Sequence, residues 1–225
     1  MNNLIGKSFL GLAFLDFCLA LALFLSAGSL AFWQAWIFLV VWTACVVLIT
    51  AYLFRFDQKL LASRTQAGPT AETQKVQQII QGLASLFFIG LFIVPGLDYR
   101  FHWSVVPPIL SWVSNGFVVL GLFIVFLTFK ENSYTSAVIE VTEQQKVVTS
   151  GPYRWVRHPM YAGAILLLLF APLALGSWVA LPFPLPLILV VAIRSVEEEK
   201  FLRNSLPGYV DYCQKVRYRL VPTIW

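Results

Sequence analysis

The sequence predicts an all-α, polytopic integral membrane protein, and three observations carry that prediction. Of its 225 residues, 59% are hydrophobic and 12% charged, against roughly a quarter charged in a soluble domain. A globule of this size needs a polar shell that such a composition cannot supply, so lipid must cover its apolar surface. The apolar residues are gathered into runs long enough for a bilayer core of about 30 Å, which takes about 20 helical residues to cross. The basic residues fall in the short segments between those runs, on one side.

Four runs span plainly, at about 8–28, 31–54, 79–97 and 106–129. The stretch from Phe9 to Ala27 is long enough to cross, and a second run follows at once, so it reads as a retained helix rather than a signal peptide. Asp16 places a charge inside that first span, which marks a functional candidate by default. Its position about two turns from the basic end favours a structural contact to another helix. A polar connector, 55–78, has Gly68-Pro69 as a turn signal and AETQKVQQIIQ as the start of a helix.

A fifth apolar region, 160–193, is interrupted by Pro172, Gly176, Pro182, Pro184 and Pro186. It reads as two short, irregular helices turning at Leu175-Gly176-Ser177, which gives about six transmembrane helices with the last two a broken hairpin. Such breaks are tolerated where protein or a cavity satisfies the freed backbone, and they are common where a membrane protein builds a site. A re-entrant hairpin would leave the same orientation. The expected division is thus 1–129, N-terminal transmembrane helices, and 130–225, a region carrying the chemistry, with a helical hairpin over 160–195 and a tail.

Of the 16 Lys and Arg residues, only Arg100 falls on the opposite face. The positive-inside rule then puts both termini in the cytoplasm. The net charge of +5 does not point to nucleic acid, because the basic residues are dispersed at headgroup level rather than gathered into a patch. Cys18, Cys45 and Cys213 are far apart, and His102 and His158 are the only histidines, so no metal site is expected.

Polar residues crowd after Lys130, in KENSYTSAVIEVTEQQKVVTSGPYRWVRHPMYAG, RSVEEEKFL and GYVDYCQKVRYRLVP. The first two flank the broken pair, so folding it back brings both to one mouth, the usual setting of a ligand pocket. Pro159 opens a helix, where its missing N–H costs nothing. Arg194 and Glu198 lie four apart, on one helix face. Glu197, Glu198 and Glu199 crowd like charges at a membrane boundary; a solvated helix face and a functional role are both open readings.

Gly151-Pro152-Tyr153, Arg157-His158-Pro159-Met160-Tyr161-x-Gly163, Arg194-x-x-x-Glu198-Glu199-x-x-Leu202 and Gly208-Tyr209-x-x-Tyr212, in that order, resemble the isoprenylcysteine carboxyl methyltransferase family, in particular its bacterial members. The resemblance covers about residues 130–225. It implies an S-adenosylmethionine site built without a Rossmann sheet, in keeping with the absence of a GxGxxG motif, in a cytosol-facing pocket of a bacterial inner-membrane protein. Carried onto this chain, Gln145, Lys146, Val147 and Val148 would line the nucleoside with Tyr153. His158, Pro159, Met160 and Tyr161 would wrap the sulfur and amino-acid end. Glu198 would face the cofactor, Arg194 would hold the substrate as a catalytic partner of Glu198, and Glu199 would contact the substrate.

The residue types suit that chemistry. A sulfonium and an ammonium favour a carboxylate and tyrosine faces, and in-line methyl transfer needs mainly positioning and desolvation. A carboxylate acceptor is already ionised and needs no base, whereas an amine or hydroxyl would need His158 or a glutamate. The implied function is S-adenosylmethionine-dependent methylation, by preference carboxyl O-methylation, of a lipophilic small-molecule or prenylated acceptor among the membrane lipids. The alternatives are phospholipid N-methylation, a reductase or isomerase of an isoprenoid or sterol-like lipid using a nicotinamide cofactor, and a non-catalytic scaffold.

Overall fold

Long unbroken apolar runs satisfy their backbone in lipid as α-helices, and that is what forms. The computed structural model describes residues 2–64, 75–135 and 145–225. Among them the α-helices are α1 (Asn2–Ala27), α2 (Trp33–Phe56), α3 (Gln58–Arg64), α4 (Lys75–Phe101), α5 (Pro108–Glu131), α6 (Pro159–Ala174), α7 (Pro184–Ser205) and α8 (Tyr209–Lys215), with a 3-10 turn over Gly151–Arg154. The expected helix start in the connector lies partly outside the described residues; the helix is present from Lys75.

Helices α1, α2 and α5, and α4 from Ala84, are each long and apolar enough to cross a membrane. Their outer faces stay apolar, with Leu10 73% and Leu48 70% exposed, as lipid-facing positions should be. Helix α6 is shorter, at 16 residues, and in α7 the charged stretch from Arg194 follows an apolar first half. Of the expected six spans, four are thus helices long and apolar enough to cross, α6 is a shorter apolar helix, and α7, at 22 residues, is apolar only in its first half.

The turn between α6 and α7 falls where the sequence placed it. Gly176 takes φ +75°, a left-handed conformation that suits glycine, and a Cβ there would lie 2.8 Å from the Gln34 amide nitrogen. The tip is anchored by Asp98, a residue the sequence gave no reason to single out. Only 1% exposed, Asp98 accepts bonds from the Ser177 hydroxyl (2.5 Å), the Ser104 hydroxyl (2.6 Å) and the Ser104 amide (2.7 Å). The hairpin thus reaches the α4–α5 connection, at the end of the bundle that carries Arg100. Asp16 accepts a hydrogen bond from Thr43 of α2 at 3.0 Å, the interhelical contact its position suggested.

The main core gathers Leu23, Phe38, Leu91, Val118 and Leu175 from five parts of the chain. Helices α5 and α6 share the most extensive contact, and two glycines set its closeness. A Cβ on Gly121 would stand 2.6 Å from the Gly163 carbonyl oxygen, and one on Gly163 2.5 Å from that of Gly121. Small residues let helix backbones touch in this way. At the basic end a second cluster of Leu53, Leu60, Leu61 and Phe129, joined by Met160, docks α3 against α5 and α6. The Asp57 carboxylate accepts the Leu60 amide hydrogen at 3.0 Å and caps the short helix.

Candidate functional site

The site is built where the chain enters α6. The backbone N–H groups of Arg157 and His158 precede the helix and need outside acceptors. The C-terminal tail supplies them: Arg157 N donates to the Tyr218 carbonyl and His158 N to that of Arg219, both at 2.9 Å. Pro159 then opens α6.

Beneath this strap lies a buried ion cluster. Arg157, its side chain 7% exposed, donates Nε–H to Glu199 Oε1 at 2.7 Å and Nη1–H to the Val216 and Arg217 carbonyls at 2.8 Å each. Arg219 Nε stands 3.1 Å from Glu199 Oε2, a charge contact without hydrogen-bond geometry. His158 Nε2 lies 3.4 Å from Oε1. Burial alone would push the Glu199 carboxyl up, but the close contact of His158 and the hydrogen bond and charge of Arg157 hold it down at about 2.

Above the cluster opens a cleft enclosing about 820 Å³ of empty space, part of it open to solvent. It is lined by Gln145, Lys146, Val147, Val148, Tyr153, His158, Pro159, Met160, Tyr161, Arg194 and Glu198, so those sequence-derived candidates converge. Glu199 does not join them. Read as substrate-facing, it is instead 2% exposed and absent from the lining, because two arginines and a histidine draw it inward. Its neighbour Glu198, one helical step round, keeps a side chain 28% exposed.

The polar wall is a short chain of contacts. Tyr161 donates its hydroxyl to Glu198 Oε2 at 2.8 Å and accepts from Arg194 Nε at 3.2 Å. The His158 ring stacks on Tyr161 with centroids 5.5 Å apart, and its Nδ1 lies 3.8 Å from Glu198 Oε2. One imidazole thus stands between two carboxylates. Arg194 and Glu198, four apart on α7, face the same hydroxyl of α6.

The opposite wall is apolar and aromatic. Tyr153, Leu206, Tyr209 and Tyr212 form a buried cluster with Val147 and Val148 packed against it. Tyr212 donates to the Tyr153 carbonyl at 2.8 Å, and Asn132 donates to the Tyr153 hydroxyl at 2.9 Å. Burial drives the Tyr153 phenol well above its ordinary pKa, so it stays neutral. Gly208, at φ +83°, lets α8 start so that Tyr209 and Tyr212 turn inward.

Sequence reasoning missed three of these parts. Asn132 sits in a polar run with nothing to mark it. Arg157 stood in a motif, but its pairing with Glu199, 42 residues on, had no signal. Arg219 lies in a tail whose packing only folding reveals.

The lining fits S-adenosylmethionine. The cleft is concave and pairs an apolar, aromatic side with a few convergent polar groups, as small-molecule sites do. Among the described residues, Glu198 is the carboxylate that lines it, placed for a ligand cation, and the Tyr153 side suits a flat heteroaromatic ring.

Residues 109–207 match the family model for phospholipid methyltransferase, a segment running from α5 through the end of α7. The match bears out, over residues 130–207, the expected resemblance to a membrane methyltransferase family, and it begins within α5, the helix that packs most closely on α6. The chain is also 30% identical over 110 residues to the cobalt-zinc-cadmium resistance protein CzcN of Cupriavidus metallidurans, covering 47% of this chain and 49% of that protein. The chain therefore matches about half the length of that curated relative.

Proposed function

We propose that this protein is a membrane-embedded, S-adenosylmethionine-dependent methyltransferase acting on a lipid-like acceptor, with a carboxylate as the preferred methyl-accepting group. The observation that carries the reading is convergence: Gln145 to Val148, Tyr153, Arg157 to Tyr161 and the α7 residues Arg194 and Glu198 line one cleft, all within the segment that matches a methyltransferase family. In this reading residues 130–225 are the catalytic region, α1–α5 embed it, and the basic end faces the cytoplasm of a bacterial cell.

When bound, the cofactor supplies an electrophilic methyl group on a sulfonium. Val147, Val148 and Tyr153 hold its nucleoside, with Gln145 and Lys146 at the rim. His158, Pro159, Met160 and Tyr161 enclose the sulfur and amino-acid end, and Glu198 offsets its positive charge. Tyr161 fixes the Glu198 carboxylate and the Arg194 guanidinium through one hydroxyl, so cofactor and acceptor are oriented against each other. Arg194 binds the acceptor's carboxylate. The apolar walls exclude water.

N-methylation of a phospholipid amine is the second reading, favoured by the description of the matching family. That reaction must remove a proton from the amine, and Glu198 with His158 behind it is the group placed to take it. The test is purified protein with radiolabelled S-adenosylmethionine and a membrane lipid extract. Label entering the organic phase and released as methanol by mild alkali marks a methyl ester; alkali-stable label marks N-methylation. Glu198→Gln is expected to weaken cofactor binding about tenfold or more, while Arg194→Ala impairs acceptor use at unchanged cofactor affinity. No binding of S-adenosylmethionine at millimolar concentration would sink the proposal.

A further inference from the structure

Arg64 is a half-buried cation with one buried, unmet donor, and it lies outside the segment that matches the family. It ends α3, whose Leu60 and Leu61 pin that helix against Leu53 and Phe129. The guanidinium carbon sits 4.6 Å from the centre of the Phe129 ring, and Nη2 donates to the Met160 sulfur at 2.9 Å. A thioether is a weak acceptor. The Nε–H is shut off from solvent and has no acceptor among the described residues.

The charges around it do not complete it. Glu198 and the tyrosines at 153 and 161 favour its charged form, Arg194 opposes it, and burial outweighs them all, pulling its pKa down. Buried donors in native proteins are nearly always satisfied, and a guanidinium fork is shaped for two oxygens of one carboxylate or phosphate. Met160, which Arg64 touches, also lines the cleft, so an oxyanion on Arg64 would sit at the edge of that pocket.

We propose that Arg64, backed by Phe129 and Met160, is a binding site for a lipid-borne oxyanion, a phosphate diester or a carboxylate. Deepening the methyltransferase reading, and resting on it for this step alone, the oxyanion is one that the acceptor carries besides the methyl-accepting group held by Arg194, which makes the acceptor an anionic or zwitterionic amphiphile anchored by its head beside Glu198.

The test uses the full chain in a neutral maltoside detergent, with melting temperature followed against phosphatidylglycerol, oleate, uncharged monoolein and sodium phosphate. Phosphatidylglycerol and oleate are expected to raise the melting temperature, and monoolein and sodium phosphate to leave it unmoved. Arg64→Met is expected to weaken the lipid response about tenfold, Arg64→Lys to give an intermediate loss, and Arg55→Gln, on the exposed end of α2, to respond like wild type. Without lipid, Arg64→Met should melt no lower than wild type, because it removes an unmet buried donor.

An undiminished lipid response in Arg64→Met overturns the proposal. A lowered ligand-free melting temperature in that variant also overturns it, since a structural cation behaves that way, and a response to sodium phosphate alone assigns the site to free anion instead. In the methyl-transfer assay, a raised acceptor KM at unchanged kcat in Arg64→Met makes the oxyanion the acceptor's own. An unchanged KM with lost lipid binding makes it that of a bystander bilayer lipid, and the site stands. Absence of label transfer by the wild type refutes methyl transfer while leaving the lipid-binding result intact.

Discussion

Replacing Glu199 with glutamine removes the charge at the centre of the buried cluster without changing its volume. Arg157 would then be a buried cation left with the Val216 and Arg217 carbonyls, and Arg219 would lose its partner at 3.1 Å. Breaking a buried ion pair by removing one partner costs about 3–5 kcal/mol. The carboxyl's own titration gives a similar figure: held at about 2 rather than 4.5, it contributes about 3 kcal/mol. Arg203, 43% exposed and 3.8 Å away, adds little through solvent. For a chain of this length about 3 kcal/mol corresponds to a fall in melting temperature of roughly 6–12 °C.

The sign of the pH dependence follows from the depressed pKa. The folded-state carboxyl titrates below its unfolded value, so its stabilisation is complete above about 4.5 and is lost as pH falls towards about 2. Wild type should lose melting temperature across that window, and Glu199→Gln should lack that component. The assay is thermal unfolding of detergent-solubilised protein between pH 2 and 7, followed by intrinsic tryptophan fluorescence. A neutral-pH shift under about 2 °C, or a variant whose acid profile superimposes on that of wild type, would refute the reasoning.

Gly163→Leu should force α5 and α6 apart, because even a Cβ would meet the Gly121 carbonyl oxygen at 2.5 Å. A loss of at least about 1–3 kcal/mol is expected, read as a lowered melting temperature, with weakened cofactor binding because α6 carries Tyr161. Asp98→Ala should leave the Ser104 and Ser177 donors without their acceptor at the far end of the bundle. About 1–3 kcal/mol of stability should be lost while cofactor affinity stays within about twofold, since the two ends share no partners; isothermal titration alongside a melt separates the effects.

Much of the fold could be read from the chain because lipid imposes one solution on a long apolar run. Spans at 8–28, 31–54, 79–97 and 106–129 needed only length and composition, and the turn at Gly176 needed only the clustered breakers around it. Most of the cleft was legible too, since much of its lining falls within residues 145–161 and Arg194 and Glu198 lie on one helix face.

Local pattern could not decide what adjacent identical residues would do. Glu198 and Glu199 are indistinguishable as a sequence pair, yet one faces the cleft and the other is 2% exposed among arginines. The difference is about 100° of helix rotation, and it matters because a tail some 20 residues further on returns to supply Arg219 and the carbonyls that hold Arg157. Arg64 and Asp98 likewise acquire meaning only through partners 96 and 79 residues away. Burial and apolar periodicity are properties of a segment and can be read along it. The environment of a buried charge is set by whichever distant groups folding brings within a few ångströms, and that only the tertiary structure fixes.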